Sequence, residues 1–288
     1  MNKLCDEKFI REILKKHGFR FSKSMGQNFL IDETVPERIA EFADLNDSTG
    51  VLEIGPGIGA LTSELCRRAN RVVAVELDPS LPPLLEATLL EYNNFTLVQG
   101  DILKKDIPAL VDEYFSTLRP TVCANLPYNI TSPVLSALIK ADVFETIVIM
   151  VQREVAYRIC AKAGNKNYGS LSIFVNYYYT SEILFEVPPQ AFIPMPSVYS
   201  AVIKLKKRAE RPQNLVGESE LFNIVRGAFT QRRKILVNSL QASLKGKLSK
   251  DELTEIVTGA GFSPTVRAEE LNVNEFAQIA QEISLKLQ

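Results

Sequence analysis

The sequence predicts a doubly wound α/β domain followed by a smaller helical domain. Between residues 50 and 155, short apolar runs rich in β-branched residues alternate with longer segments of helical periodicity. These runs are apolar on both faces, as a sheet covered by helices on both sides requires. The regular alternation of strand and helix favours a Rossmann-like, mostly parallel sheet.

Five predicted strands follow this alternation, and two more come later in the chain. The five strands are 51–55, 71–78, 95–101, 121–125 and 146–152, and the helices between them lie around 60–68, 80–91, 107–117 and 132–141. The apolar spacing between residues 171 and 178 predicts a further helix. The runs 182–187 and 199–205 flank a proline-rich connection and are predicted to pair antiparallel at the edge of a seven-stranded sheet.

A polar stretch at 208–218, which contains a proline and a glycine, is predicted to link two domains. Three segments of helical periodicity follow it: 221–240, 250–260 and 273–287. Gly259 and Gly261 are expected to end the second of these helices. We therefore predict an N-terminal arm and α/β domain over 1–207, and a small helical domain over 208–288.

The composition excludes several classes of protein. A chain of 288 residues with 46% hydrophobic and 23% charged residues is typical of a globular protein. No apolar run is long enough to span a bilayer or to act as a secretory signal, so we expect a cytoplasmic protein without a membrane partner. The four cysteines lie far apart and the single His17 has no cluster around it, so no metal site is expected.

Positive charge is concentrated in one part of the chain, although the net charge is only −1. From Lys204 to Lys250 there are twelve basic residues and three acidic ones. A local excess of this size attracts phosphate backbones, and a nucleic acid is therefore a candidate partner. A solvated, lysine-rich surface is the alternative interpretation of any one of these residues.

A glycine-rich turn follows the first strand of the alternation. Gly55, Gly57 and Gly59 lie between this strand and a helix, and Glu76 stands 21 positions after Gly55. Counting Ala60 as the third small residue, the turn satisfies the loose dinucleotide fingerprint, and Glu76 is where a ribose-binding carboxylate belongs. The pattern predicts a cofactor that contains a nucleoside. A nicotinamide-dependent oxidoreductase would use these residues equally well.

Two further groups lie at predicted strand ends. Asp101 closes the third strand, where its carboxylate would accept a hydrogen bond from an adenine amino group or cap the following helix. The run Asn125-Leu126-Pro127-Tyr128 places an amide, a proline and a phenol at the end of a buried strand. Polar acceptors and a ring at this position indicate a site of chemistry, and ordinary core packing is the alternative interpretation of the Tyr128 and Phe192 rings.

Taken in order, these motifs resemble those of class I S-adenosylmethionine-dependent methyltransferases, and in particular the ribosomal RNA adenine N6,N6-dimethyltransferase family. Three further stretches narrow the resemblance, which covers about residues 20 to 285. They are Gly26-Gln27-Asn28-Phe29-Leu30, Phe192-Ile193-Pro194-Met195-Pro196 and the basic segment Ala228-Phe229-Thr230-Gln231-Arg232-Arg233-Lys234.

The resemblance implies a role for each matched residue. It implies S-adenosyl-L-methionine as the cofactor and no metal. The residues expected at the cofactor are Asn28, Leu30, Gly55, Gly57, Glu76, Asp101 and Asn125. The Phe192 ring is expected to pack on the target adenine, and Arg232, Arg233 and Lys234 are expected on an RNA-contacting helix.

The catalytic residues are expected to be Asn125, Leu126, Pro127 and Tyr128. The adenine amino group is a poor nucleophile because its lone pair is delocalised into the ring. The Asn125 amide oxygen and the Leu126 carbonyl would accept its two hydrogens and turn the lone pair toward the methyl donor. Pro127 would stiffen the turn, and Tyr128 would offer a face for the base.

The family members closest in pattern dimethylate two adjacent adenines in the 3′-terminal hairpin of 16S ribosomal RNA. The predicted partners are therefore small-subunit ribosomal RNA and the pre-30S particle, with the protein acting as a monomer. Two alternatives stay open at this point. One is a large-subunit adenine N6-methyltransferase of the macrolide-resistance type, and the other is a non-enzymatic RNA-binding assembly factor.

Overall fold

A computed structural model describes residues 3–19, 21, 26–212, 216–231 and 233–287 of the chain. The chain divides into two compact units, described separately below. The first unit comprises Met1–Ala156 and Glu182–Lys207, and the second comprises Tyr157–Ser181 and Arg208–Gln288. The segment 157–181, which we predicted to belong to the first domain, is thus grouped with the second unit. Part of the predicted linker, residues 213–215, lies outside the described residues.

The described residues form strands and helices in the order that the sequence predicts, with additions. The strands are β1 (Phe29–Leu30), β2 (Thr49–Ile54), β3 (Arg71–Glu76), β4 (Phe95–Gln99), β5 (Arg119–Asn125), β6 (Thr146–Gln152), β7 (Tyr179–Val187), β8 (Phe192–Ile193) and β9 (Ser200–Lys207). The α-helices are α1 (Glu7–Lys16), α2 (Thr34–Phe42), α3 (Ala60–Cys66), α4 (Pro82–Thr88), α5 (Ile107–Phe115), α6 (Thr131–Ala141), α7 (Arg153–Ile159), α8 (Ser170–Tyr178), α9 (Glu218–Ala228), α10 (Leu236–Ser243), α11 (Lys250–Gly259) and α12 (Val273–Leu287).

Seven strands form one sheet in the order β4-β3-β2-β5-β6-β9-β7. The strands from β4 to β6 are parallel, and β9 pairs antiparallel with β6. Val51, Leu52, Val72 and Val73 in the sheet centre are fully buried, as strands covered on both faces require. The predicted mostly parallel sheet with an antiparallel edge is confirmed.

The parallel arrangement brings the carboxyl ends of β2, β3, β4 and β5 to one edge of the sheet. Each of these ends either contains a residue of a motif singled out in the sequence or lies within two residues of one. The residue after β2 is Gly55, Asp101 lies two residues after β4, and Asn125 is the last residue of β5. Open α/β sheets bind ligands at this edge.

A two-stranded ribbon lies beside this edge and was not predicted. Strands β1 and β8 pair antiparallel, with Phe29 opposite Ile193 and Leu30 opposite Phe192. The Ile31 N–H also donates to the Ala191 carbonyl at 2.8 Å. The ribbon therefore joins two of the motifs, whose paired residues Leu30 and Phe192 are 162 positions apart in the sequence.

The helices of the second unit differ from the prediction in one respect. The segment 221–240, predicted as a single helix, forms α9 and α10 with a break between Phe229 and Ile235. The Leu236 N–H is in the first turn of α10 and donates to the Val266 carbonyl at 2.8 Å, which supplies the partner that an N–H at the start of a helix lacks within the helix. Of the basic segment, Ala228 ends α9, whereas Phe229–Gln231, Arg233 and Lys234 lie outside any helix, so the prediction of a helix is wrong for these described residues.

Candidate active site

The turn after β2 forms one wall of a cavity at the carboxyl edge of the sheet. Gly55, Gly57 and Gly59 have φ angles of +68°, +60° and +93°, which residues with a side chain rarely adopt. A Cβ atom on Gly57 would lie 3.1 Å from two atoms of the Phe29 ring. The glycines therefore let the loop approach β1 closely.

The structure brings most of the predicted site residues together around this cavity. The predicted residues that line it are Asn28, Leu30, Gly55, Gly57, Glu76, Asp101, Asn125, Leu126, Pro127 and Tyr128. They come from β1 and the residue before it, from the ends of β3 and β5, and from the loops that follow β2, β4 and β5. Their placement is observed, whereas the role of each residue stays a prediction.

Glu76 ends β3 with its carboxyl group almost buried, at 6% exposure. Burial raises the pKa of Glu76 to about 7, and the hydrogen bond from the Asp78 N–H to Glu76 Oε1, at 2.6 Å, acts in the opposite direction. A carboxyl group in this setting suits hydroxyl donors, since it is shielded from water and still able to accept hydrogen bonds.

Asp101 both caps a helix and lines the cavity. Its Oδ1 accepts a hydrogen bond from the Leu103 N–H at 3.0 Å and so caps the 3₁₀ turn Ile102–Lys104. The two interpretations of this residue are therefore compatible. One carboxylate oxygen serves the cap, and a second oxygen is left for a ligand donor.

The segment after residue 26 is fastened to β3 and to the Asn-Leu-Pro-Tyr turn. Gln27 Nε2 donates to Asp78 Oδ2 at 2.7 Å. Burial opposes ionisation of Asp78, but the hydrogen bonds from Ser80 and Gln27 hold its pKa below the usual value. This bridge fixes the segment that carries Asn28 against the rim of the cavity.

Asn125 is oriented by the same segment. Its Nδ2 donates to the Asn28 carbonyl at 3.3 Å, and its backbone lies opposite Met150 in the sheet. Because the amide nitrogen is engaged in this way, the amide oxygen is directed to the other side. Asn125 also lines the cavity, and its role there as a hydrogen-bond acceptor stays a prediction.

The turn that follows is stiffened by local hydrogen bonds. The Leu126 N–H donates to the Met150 carbonyl at 3.1 Å, and the Pro127 carbonyl accepts from the Ile130 N–H and from Thr131 Oγ1, both at 3.2 Å. Pro127 also lies 3.7 Å from the position of a Cβ on Gly55. The turn is thus packed directly on the glycine loop.

Tyr128 is half-buried, and its hydroxyl group shares a 2.6 Å hydrogen bond with Ser200 Oγ in β9. Burial raises the pKa of Tyr128 above its ordinary value, and this hydrogen bond opposes the rise. The phenol is therefore neutral at physiological pH. The contact with Ser200 holds the ring in one orientation at the cavity wall.

Phe192 is not brought to the cavity. Its ring is 2% exposed and lies in the apolar cluster that contains Leu30, Val35 and Ile39. The neighbouring Met195 is 65% exposed. The structure thus places Phe192 in the core behind β1, where the ring packs against protein side chains.

The basic residues predicted to contact RNA lie in the second unit. Arg233 and Lys234 are exposed in the turn between α9 and α10, whereas Arg232 lies outside the described residues. The Lys234 N–H donates to the Gln231 carbonyl at 2.8 Å, which orders the turn. Two exposed cations side by side suit contact with a phosphate backbone.

Three cavity or rim residues were missed in the sequence. Glu53 lines the cavity with its carboxyl group buried, and Gln27 and Asp78 form the bridge described above. Glu53 lies inside the predicted strand 51–55, and a charged residue inside an apolar strand is the signal that was available. No local pattern signals the bridge, because its two residues are 51 positions apart.

Two features are absent from the part of the chain described above: a cluster of metal ligands and a membrane-spanning helix. No group of three or more histidine, cysteine, aspartate or glutamate side chains is arranged to hold a metal ion within it. None of its helices is both long enough and apolar enough to cross a membrane.

A sheet in this strand order, with a glycine turn after its first long strand, is the architecture of class I methyltransferases. A family model described as ribosomal RNA adenine dimethylase matches residues 18–285. The chain belongs to that family. The predicted enzyme class, an rRNA adenine dimethyltransferase, is thereby confirmed, and neither the nicotinamide oxidoreductase nor a purely non-enzymatic role is supported.

Individual relatives agree with this assignment. Ribosomal RNA small subunit methyltransferase A of Geobacillus sp. (strain WCH70) is 46% identical over 273 residues, which cover 94% of this chain and 94% of the relative. The protein of the same description from Lysinibacillus sphaericus (strain C3-41) is also 46% identical, with coverage of 94% and 93%.

Two solved structures share the fold over most of the chain. A dimethyladenosine transferase from Plasmodium falciparum superposes with a TM-score of 0.73 at 26% identity, covering 89% of this chain and 98% of that chain. The 23S rRNA methyltransferase ErmE superposes with a TM-score of 0.69 at 27% identity, covering 89% and 99%.

Proposed function

We propose that this enzyme transfers methyl groups from S-adenosyl-L-methionine to the N6 atoms of two adjacent adenines in the 3′-terminal hairpin of small-subunit ribosomal RNA. The observation that carries the proposal is the orientation of Asn125. Its amide is fixed by the Asn28 carbonyl inside a cavity that also contains Gly55 and Glu76. An acceptor held in this way suits an amino group that must be aligned with a methyl donor.

The residues of the cavity fit the proposed cofactor. The shielded Glu76 carboxyl suits the ribose hydroxyls, and an oxygen of Asp101 suits an adenine amino group. Because Gly57 has no Cβ atom, the loop can lie close to Phe29. This leaves the cavity open to an extended ligand. When bound, S-adenosyl-L-methionine supplies an electrophilic methyl group on a sulfonium centre.

The enzyme's own groups are proposed to orient the target nitrogen. Asn125 Oδ1 accepts one amino hydrogen and the Leu126 carbonyl accepts the other, so that the lone pair no longer conjugates with the ring. The Pro127 carbonyl accepts hydrogen bonds from Ile130 and Thr131, and these bonds keep both acceptors in place. After transfer, the nitrogen loses its proton to solvent, because a protonated, methylated aryl amine is a strong acid.

Tyr128 is proposed to stack on the flipped adenine, which is worth about 1–3 kcal/mol per base for an aromatic contact. Its fixed hydroxyl supports this role, since the ring is held without being buried completely. A second stacking contact from Phe192 rests on the family resemblance alone, because its ring lies in the apolar cluster.

Arg232, Arg233 and Lys234 are proposed to bind the ribosomal RNA backbone, within the pre-30S particle and in the cytoplasm, with the enzyme acting as a monomer. The exposure of Arg233 and Lys234 supports the contact. Reversing both of these charges is expected to weaken RNA binding and to reduce its salt dependence, each lost phosphate contact lowering the slope by about 1. Filter binding across a salt series measures this. Equal loss of S-adenosylhomocysteine affinity would show instead that the residues are structural.

The alternative predicted from the sequence, methylation of large-subunit RNA, has the similarity to the 23S rRNA methyltransferase ErmE behind it and is not favoured. The small-subunit relatives are more similar, at 46% against 27% identity. Transfer of labelled methyl groups to purified, under-methylated 30S and 50S subunits separates the two. We expect label in the 30S RNA only, and label confined to the 50S RNA would overturn the proposal.

A further inference from the structure

Glu53 is a buried carboxyl group in the cofactor cavity to which the mechanism above gives no task. It lies near the end of β2 with 1% exposure, and it lines the cavity. Within the described residues, its Oε2 atom has no hydrogen-bond partner. An unsatisfied buried carboxylate oxygen is costly, so its retention requires an explanation.

Among the described residues, the charged group that acts on Glu53 is the Glu76 carboxyl group, and the nearest cation to act in this region is Lys204, through the neighbouring Cys123. Glu76 on the neighbouring β3 carries a second buried carboxyl group, and Cys66 on α3 and Cys123 on β5 are buried thiols. The buried Thr62 hydroxyl on α3 is near enough to Glu53 to favour its ionised form, but the contact falls outside hydrogen-bond geometry. Burial raises the pKa of Cys66 to about 12 and that of Cys123 above its ordinary range, so both thiols are neutral.

This setting keeps Glu53 protonated near neutral pH in the free protein. Burial raises its pKa to about 8, the Thr62 hydroxyl opposes the rise, and the Glu76 carboxyl group adds to it. Ionising two buried carboxyl groups on adjacent strands costs free energy, because their negative charges repel each other. A cation bound near them lowers this cost.

We propose that Glu53 is the group in the cavity that responds to the positive charge of the cofactor: binding of a cationic adenosyl ligand ionises it and releases its proton to solvent. The Glu53 O–H bond breaks, the proton passes to buffer, and the carboxylate that remains faces the ligand cation. No electrons are transferred. The inference rests on the proposed use of an adenosyl cofactor and adds a proton-linked step to its binding.

Titration calorimetry with S-adenosylhomocysteine tests the proposal. The wild-type protein is titrated at pH 7 in two buffers with different heats of ionisation, and the difference in heat gives the number of protons released. A group with a pKa of about 8 is about nine-tenths protonated at this pH, so a release approaching one proton from Glu53 is expected. Glu53→Gln is expected to release at least about half a proton fewer.

Matched controls separate Glu53 from Glu76, whose pKa of about 7 gives it a share of the release. Glu76→Gln is expected to weaken binding but to retain the Glu53 contribution. Adenosine carries no positive charge, so its binding is expected to leave Glu53 protonated. S-adenosylhomocysteine has an ammonium group and S-adenosylmethionine also has a sulfonium group. Equal proton release by both assigns the response to the ammonium group, and release by S-adenosylmethionine alone assigns it to the sulfonium group.

The outcomes distinguish this inference from the proposed function. Tight binding of both cationic ligands without proton release, or with the same release in Glu53→Gln, overturns the inference alone. Absence of binding by the wild type overturns the cofactor assignment and the inference together. If Glu53→Gln does not fold, the affinity of Glu76→Gln for S-adenosylmethionine still decides, because with Glu53 as the remaining responsive carboxyl group it must increase up to about tenfold per pH unit between pH 6 and 7. An affinity independent of pH there contradicts the proposal.

Discussion

Asn125 is fixed on both its backbone and its side chain, and this makes its replacement informative. Asn125→Ala removes the acceptor for the amino group and is expected to lower the rate of methyl transfer by about 100-fold or more, as loss of one preorganised polar partner commonly does. Asn125→Asp keeps an acceptor oxygen but loses the donor to the Asn28 carbonyl, so a smaller loss is expected. Single-turnover transfer at saturating cofactor measures both. An unchanged rate for Asn125→Ala would contradict the assigned role.

Also at the residue scale, the sequence predicted the location of those residues that are required by backbone conformation or that lie at the end of a strand. Gly55, Gly57 and Asn125 are of this kind, because the strands before them are clear from β-branched runs. Phe192 is different, since a ring in a proline-rich loop gives no local sign of whether it faces the core or a ligand. Its burial depends on β1, a strand of two residues without periodicity.

At the scale of elements, the close approach of α9 and α10 predicts opposite effects for two substitutions in helices. A Cβ on Gly227 would lie 2.0 Å from Ser243 Oγ, whereas a Cβ on Gly259 in α11 meets nothing within 4 Å. Gly227→Ala is expected to destabilise the protein by about 1–3 kcal/mol through overpacking. Gly259→Ala is expected to stabilise it by about 0.5–1 kcal/mol through helix propensity. Urea denaturation measures both, and a stabilised Gly227→Ala would contradict the packing described.

The elements were predicted where hydrophobic periodicity decides the structure. All five parallel strands and α5, α6 and α12 lie within a few residues of their predicted positions. The break between α9 and α10 was missed because the apolar positions on both sides of it fit one helical pattern, although α9 ends at Ala228. Helix α1 was missed because its strongly charged sequence hides the two buried residues Ile10 and Leu14.

For the molecule as a whole, the two buried carboxyl groups predict a pH-dependent stability. The pKa values of Glu53 and Glu76 are about 8 and about 7 in the folded protein and 4.5 ordinarily, so the folded state binds more protons than the unfolded state between these limits. Their contribution to stability is present in full below pH 4.5 and is lost as the pH rises to about 8. The unfolding free energy of the cofactor-free protein should therefore fall from pH 5.5 to 8.

Urea titrations across this range measure the effect, with Glu53→Gln as the matched control. The variant cannot ionise at this position, so its unfolding free energy is expected to change less with pH than that of the wild type. Identical pH profiles would show that the environment of Glu53 is not as described.

The central claim concerns the whole molecule and its RNA, and mass-spectrometric mapping of methylated adenines after reaction with small ribosomal subunits tests it most directly. The account predicts N6,N6-dimethyladenosine at two adjacent positions near the 3′ end of the small-subunit RNA, and its absence with Asn125→Ala. Methylation at other adenines only, or no dimethyladenosine from the wild-type enzyme, would contradict it.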